Sequence, residues 1–197
     1  VTHFPIVEIA TRIALGETLK DMGYHSGLMP AKKHVAAKAP VFSFSKIGLA
    51  EIALGPEMKS TGEVMGIGHS YSEALYKAVN GAKMKIPAGG TILVTVADRD
   101  KAEALQLAEG FKELGYHIIA TEGTGKYFND HGMPVDIVRK IHEGGQNIAT
   151  LIRNGKIDLV LNTLTYGKHP ERDGFNLRRM AVELAVPCLT SLDTARE

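Results

Sequence analysis

The chain has a single cysteine, almost no charge imbalance and no long apolar run, and each shortage excludes something. One cysteine, Cys188, rules out an intrachain disulfide and fits a reducing cytoplasm. It lies in the apolar run AVPCL with no His or Asp pattern directed at it, so it reads as a buried structural thiol rather than a nucleophile. A formal net charge of +1 argues against a nucleic-acid binder, which would need a basic face to neutralise phosphates. No apolar stretch approaches the roughly 20 residues of a membrane span. No basic segment followed by an apolar core suggests a signal peptide.

What is present divides into two textures. The chain opens VTHFPIVEIATRIALGETL, without an initiator Met and already inside an amphipathic pattern, in which Ile6, Ile9, Ala10, Ile13 and Ala14 recur at helical spacing. We expect from this a piece of something longer. Up to about residue 82 the rest is irregular. Pro30, Pro40, Pro56 and many glycines break every long period, and only VFSFS alternates like a strand. SYSEALYKAVNG predicts a helix with Ser70 as N-cap, stopping at Asn80-Gly81. This half alone has few core-forming elements.

From about residue 84 strands and helices alternate. TILVTVA, YHIIA, IDLVLNT and VPCLTS are strand runs. RDKAEALQLAEGFKEL, with Ala104, Leu105, Ala108 and Phe111 on one face and Gly115 behind it, predicts a helix. Further helices are expected over 123–131, NIATLIRNG and NLRRMAVELA. Continuously apolar strands between helices indicate an α/β fold, a parallel sheet covered on both faces. Ligands on such sheets bind beyond the carboxyl ends of the strands.

Three strands end in polar groups: Ala97-Asp98-Arg99-Asp100-Lys101, Thr121-Glu122-Gly123-Thr124 and Asn162-Thr163-Leu164-Thr165. Parallel strands gather all three at one rim. Hydroxyls, helix N-terminal amides and a lysine suit a phosphate monoester, and glycine lets the backbone approach it. Ordinary helix capping explains Thr and Gly after a strand equally well. Sharper nucleotide motifs fail. Gly125-Lys126 is no Walker A lysine, since Tyr127 stands where Ser or Thr must bind magnesium and Ala120 replaces the first glycine. Gly123-Thr124-Gly125 lacks the third glycine of the dinucleotide fingerprint, which falls at Phe128. His131, His142 and His169 have no partner at metal-ligand spacing and read as exposed or capping residues, and Met58, Met65 and Met84 as packing residues.

These residues resemble a known family. GPEMKSTGEVMGIG (55–68) is similar to the junction near the end of the second synthetase half of the carbamoyl phosphate synthase large subunit. TEGT, IVRKIHEG and IRNGKIDLVLNT resemble that subunit's C-terminal regulatory domain, of the methylglyoxal-synthase-like, Rossmann-like three-layer fold. PIVEIATRIALGETL and PVFSFSKI resemble the close of the preceding ATP-grasp domain. The resemblance implies an ATP-grasp remnant over 1–82, mostly helical or irregular, and an allosteric domain over 83–197. It implies a parent ligase that makes carbamoyl phosphate from ATP, bicarbonate and glutamine-derived ammonia, with Mg²⁺ or Mn²⁺ and K⁺. Expected partners are the rest of the large subunit, a small glutaminase subunit and a phosphorylated effector (UMP first, then IMP or PRPP), with oligomerisation through this region an open question.

Carried over residue by residue, the effector positions are Lys101, Thr121, Gly123, Thr124, Lys140 and Asn162. The loop after Asn162 is one residue longer than the family pattern, so the last hydroxyl falls to Thr163 or Thr165. Asn162 is expected to bond a ribose or base. Methylglyoxal synthases carry a catalytic aspartate where HEGGQNIATLI has Gln146. The resemblance therefore implies binding without that chemistry. It also places the synthetase's metal-binding carboxylates upstream of Val1, leaving no catalytic or metal residue here. The rival readings are a methylglyoxal synthase-type lyase and a purely structural domain.

Overall fold

A computed structural model describes residues 4–41, 62–145, 147–164 and 173–197. The first helix, α1 (Ile6–Ala14), follows the predicted spacing, but only Ile9 of its apolar face is buried. Strands β1 (Val35–Val41) and β2 (Gly62–Gly68) then pair antiparallel, with Val35 opposite Gly68 and Val41 opposite Gly62. Helix α2 (Tyr71–Gly81) packs on them, its first turn capped as expected by the Ser70 hydroxyl, which accepts from the Glu73 amide.

This pair corrects the irregular reading of the first half. The described strand is 35–41, which ends at the first residue of VFSFS; residues 42–45 lie outside the described part. Neither partner looks like a strand, because alanine and glycine are weak β-formers. Contact explains the composition. Ala37, Ala74 and Ala78 are buried together, and a Cβ at Gly66 would lie 1.9 Å from the Ala74 carbonyl oxygen. Only glycine lets the helix backbone sit that close to β2. Met65, expected to pack, is exposed on the outer face of β2, whereas Met84 packs on the main core. Met58 lies outside the described residues.

The five-stranded sheet comprises β3 (Gly90–Thr95), β4 (Tyr116–Thr121), β5 (Asp136–Val138), β6 (Leu159–Asn162) and β7 (Cys188–Leu189). Its order is β5-β4-β3-β6-β7, and every neighbouring pair is parallel. Side chains alternate between its two faces, as pleating requires. Ile92, Val94, Ile118, Ala120, Leu159 and Leu161 join one core with α3 (Lys101–Glu113), α4 (Glu122–Asp130) and α7 (Leu192–Arg196). Leu93, Ile119 and Val160 join the other with α5 (Ile148–Arg153) and α6 (Asp173–Glu183). Both faces are covered, which is why the strands read as unbroken apolar runs. Strand β5 and helix α7 went unpredicted; each is too short for a period to emerge from its neighbours. Among the described residues no helix is long and apolar enough to cross a membrane.

Candidate functional site

The strand order sets where a ligand can enter. From β3 the chain crosses one face through α3, and from β6 it crosses the other through α6. The connections diverge between β3 and β6, opening a crevice beyond their carboxyl ends. Thr95 and Asn162 stand opposite one another there, and Thr121 ends the strand on the other side of β3.

At this rim the exit of β3 is fastened residue by residue. The Asn162 amide nitrogen donates to the Thr95 carbonyl at 2.9 Å, and Thr121 Oγ1 donates to Thr95 Oγ1 at 3.0 Å. Val96 N–H donates to Thr124 Oγ1 at 3.3 Å, and Ala97 N–H to Thr163 Oγ1 at 2.9 Å. Arg99 Nη2 donates to the Leu164 carbonyl at 2.9 Å, joining the segments that follow β3 and β6. Each bond is worth about 1 kcal/mol net, and leaving a buried amide without one costs about 1–3 kcal/mol. A hydroxyl that accepts an amide hydrogen keeps its own O–H to donate. Thr124, 1% exposed, and Thr163, 8% exposed, each keep such a hydrogen at the rim.

Lys101, the first residue of α3, turns toward the start of α4. Its Nζ lies 3.7 Å from the position a Cβ on Gly123 would take and 6.0 Å from the centre of the Tyr127 ring. Apart from Gly123's chain neighbours and its own helix backbone, nothing else stands within 4 Å of that position, so a side chain there would meet the lysine first. Gly125 differs: a Cβ there would press on Ile137 at 2.8 Å, so this glycine serves helix–strand packing. Thr121 occupies the N-cap position of α4, yet its side chain caps nothing, being turned to Thr95. The capping explanation of the TEGT corner therefore lacks its hydrogen bond.

Charges around the corner are mixed. Lys101 Nζ bonds Asp98 Oδ1 at 2.6 Å, and that bond holds the Asp98 carboxyl below the usual range. Lys126, four residues on, bonds Glu122 and depresses its carboxyl; Lys140, which follows β5 at the same rim, adds to this through its charge. Lys140 is half-buried, with its backbone amide held by Glu143 at 2.9 Å.

The structure brings Lys101, Thr121, Gly123, Thr124, Asn162 and Thr163 to one rim, with Lys140 at its edge. Thr165 and Gln146 lie outside the described residues. Two participants had no obvious sequence signal. Thr95 looked like one more residue of an apolar run. Arg178 on α6, only 6% exposed, donates from Nη1 to Asn162 Oδ1 at 2.6 Å. Its position between buried Leu177 and Ala181, one turn from the inward face, was the available clue. With Arg178 on its oxygen and Thr95 on its nitrogen, the Asn162 amide is oriented before any ligand arrives.

Residues 103–190 match the family model of the MGS-like domain. The chain carries an MGS-like domain. That match spans every rim residue named above except Thr95 to Lys101, which immediately precede it. Among solved structures, the chain resembles a methylglyoxal synthase from Elizabethkingia anophelis NUHP1 at 20% identity and a TM-score of 0.43, over 56% of this chain and 77% of that one. It resembles ForH at 19% identity and a TM-score of 0.40, over 55% and 76%. No group of three His, Cys, Asp or Glu side chains poised for a metal occurs among the described residues. Cys188 is buried in the sheet core. A shallow cleft of about 370 Å³, between Lys112, His117, Met133 and Asp136, opens at the starts of β4 and β5, the end of the sheet opposite the rim.

Proposed function

We propose that the MGS-like domain senses a phosphorylated nucleotide, UMP first, for a carbamoyl phosphate synthase large subunit of which this chain is the C-terminal part. The observation that carries the reading is the approach of Lys101 Nζ to the open Gly123 corner, at the start of a helix without a side-chain cap. A cation, first-turn amides and hydroxyls that retain their protons form a set of donors, which a phosphate dianion matches. The GPEMKSTGEVMGIG stretch supports the parent enzyme, a cytoplasmic ligase that uses ATP and Mg²⁺ with a glutaminase partner. Gln146, standing where a lyase of this fold needs its aspartate, favours sensing over chemistry. Effector binding regulates only if the two conformations of the synthase differ in affinity for it. The junction at 55–68 is the physical link available for that coupling.

The stapling of residues 95–97 favours one rival, a purely structural domain, which predicts no response to any ligand. Calorimetric titration with UMP, IMP, PRPP and inorganic phosphate separates the two. Lys101→Ala and Thr124→Val are each expected to weaken nucleotide binding by more than about tenfold, the equivalent of roughly 1.4 kcal/mol. Unchanged affinity in both variants would remove the site. Methylglyoxal formation from dihydroxyacetone phosphate would restore the lyase.

A further inference from the structure

The proposed site contains a group that works against its ligand. Asp98 Oδ1 sits 2.6 Å from Lys101 Nζ, three residues away across the short turn that leads into α3. The two partners differ sharply in exposure. The lysine side chain is 16% exposed, held between Gly123 and the Tyr127 ring, whereas the aspartate side chain is 94% exposed. The cation is thus sheltered from water, and the carboxylate is the exposed partner of the pair. An anion arriving at the α4 corner must share Lys101 with that carboxylate or turn it out into water.

We infer that Asp98 is an internal competitor of the phosphate site, which occupies Lys101 until a ligand that makes further contacts displaces it. This rests on the reading of the rim as a phosphate site. The reasoning is one of exchange. Replacing Asp98 on Lys101 by chloride or another monoanion trades one single charge for another and gains almost nothing. A phosphate dianion keeps the lysine contact and also reaches the first amides of α4. The exposed carboxylate rotates away at small cost, since exposed ion pairs are individually weak. Asp98 thereby lowers affinity for every anion by the same displacement cost, which a ligand that makes the other contacts readily outweighs. Arg99 does not replace it as a guard, because its guanidinium is directed to the Leu164 carbonyl and to Asp100.

The test is calorimetric titration of the full chain and its Asp98→Asn, Lys101→Ala and double variants with UMP and with inorganic phosphate, at low and high sodium chloride. Asparagine preserves the shape of Asp98 and removes its charge. Asp98→Asn is expected to bind both ligands about two- to fivefold more tightly than the parent chain at low salt. Its affinity should fall more steeply with chloride, because Lys101 is no longer guarded. In the Lys101→Ala background the substitution should change nothing, which shows that the effect runs through the lysine. Equal or weaker binding by Asp98→Asn, beside a parent chain that binds UMP, overturns the guard and leaves the phosphate site standing. A gain that survives in Lys101→Ala overturns it too, by showing a general charge effect. Silence from the parent chain and from Asp98→Asn with both ligands overturns the site and the guard together.

Discussion

Gly66→Ala is expected to unseat α2 from the β1–β2 pair at a cost of about 3 kcal/mol or more, the upper end for forcing an atom into a filled space. The new Cβ would lie 1.9 Å from the Ala74 carbonyl oxygen and 2.5 Å from the Ala78 nitrogen. Both are backbone atoms of α2, so no side-chain rotation relieves the clash. The contact is also thinly supported, since Ala37, Ala74 and Ala78 are the buried residues of this cluster and alanines contribute little apolar area. Hydrogen exchange gives the cleanest readout. Amides of α2 should lose protection by about a hundredfold or more, while those of β3 and β4 keep theirs, because local openings need not involve the whole protein. Gly81→Ala is the control: its Cβ would meet Val64 at an ordinary 3.4 Å. There alanine should be neutral or slightly stabilising, since it favours a helix over glycine. Equal protection of α2 in the parent chain and Gly66→Ala would mean that helix and strand are not in close contact.

Phe128→Ala should destabilise the α/β domain by about 3–5 kcal/mol, the range for removing a fully buried aromatic ring. Phe128 is completely buried, on the inner face of α4, in the same core as Ile118, Ala120 and Met133. Its ring holds the helix whose first turn forms the TEGT corner, so affinity for a phosphorylated ligand should fall along with stability. Phe128→Leu keeps most of the volume and should cost no more than about 1.5 kcal/mol. Urea denaturation of the three proteins measures this directly. A loss below about 1 kcal/mol for alanine would show that α4 is anchored elsewhere, by Gly125 against Ile137 for example.

How far the sequence was legible depended on whether local pattern and tertiary contact agreed. Strands β3, β4 and β6 are apolar throughout because helices cover both faces, and the same coverage makes them recognisable. Helix α3 shows its face through Ala104, Leu105, Ala108 and Phe111, all of them in or against the core. Strands β1 and β2 concealed themselves for the opposite reason. Their residues answer to a helix backbone pressed on them, so Gly66 and Gly68 were chosen for the absence of a side chain rather than for β-propensity.

The rim was legible in part. Its residues announced themselves as polar groups at strand ends, and the parallel sheet brought them together. Their partners did not announce themselves. That Thr124 and Thr163 accept from Val96 and Ala97 depends on how neighbouring strands are aligned, which no single segment records. Asn162, read as a group awaiting a ribose or base, is already bonded at both ends of its amide. Arg178 stayed hidden because a charged residue beside a helix's inward face is ordinarily a solvated one, and here it is buried against Asn162.

Amide chemical-shift mapping with UMP tests the central claim most directly, because it locates binding as well as detecting it. Saturating ligand should move the amides of Gly123, Thr124 and Gly125 most, with Ala97 to Lys101 and Thr163 next, and leave His117 and Asp136 at the far end of the sheet unmoved. Shifts clustered at His117 and Asp136, or a well-dispersed spectrum that UMP and inorganic phosphate leave unchanged, would contradict a phosphate site at the strand ends.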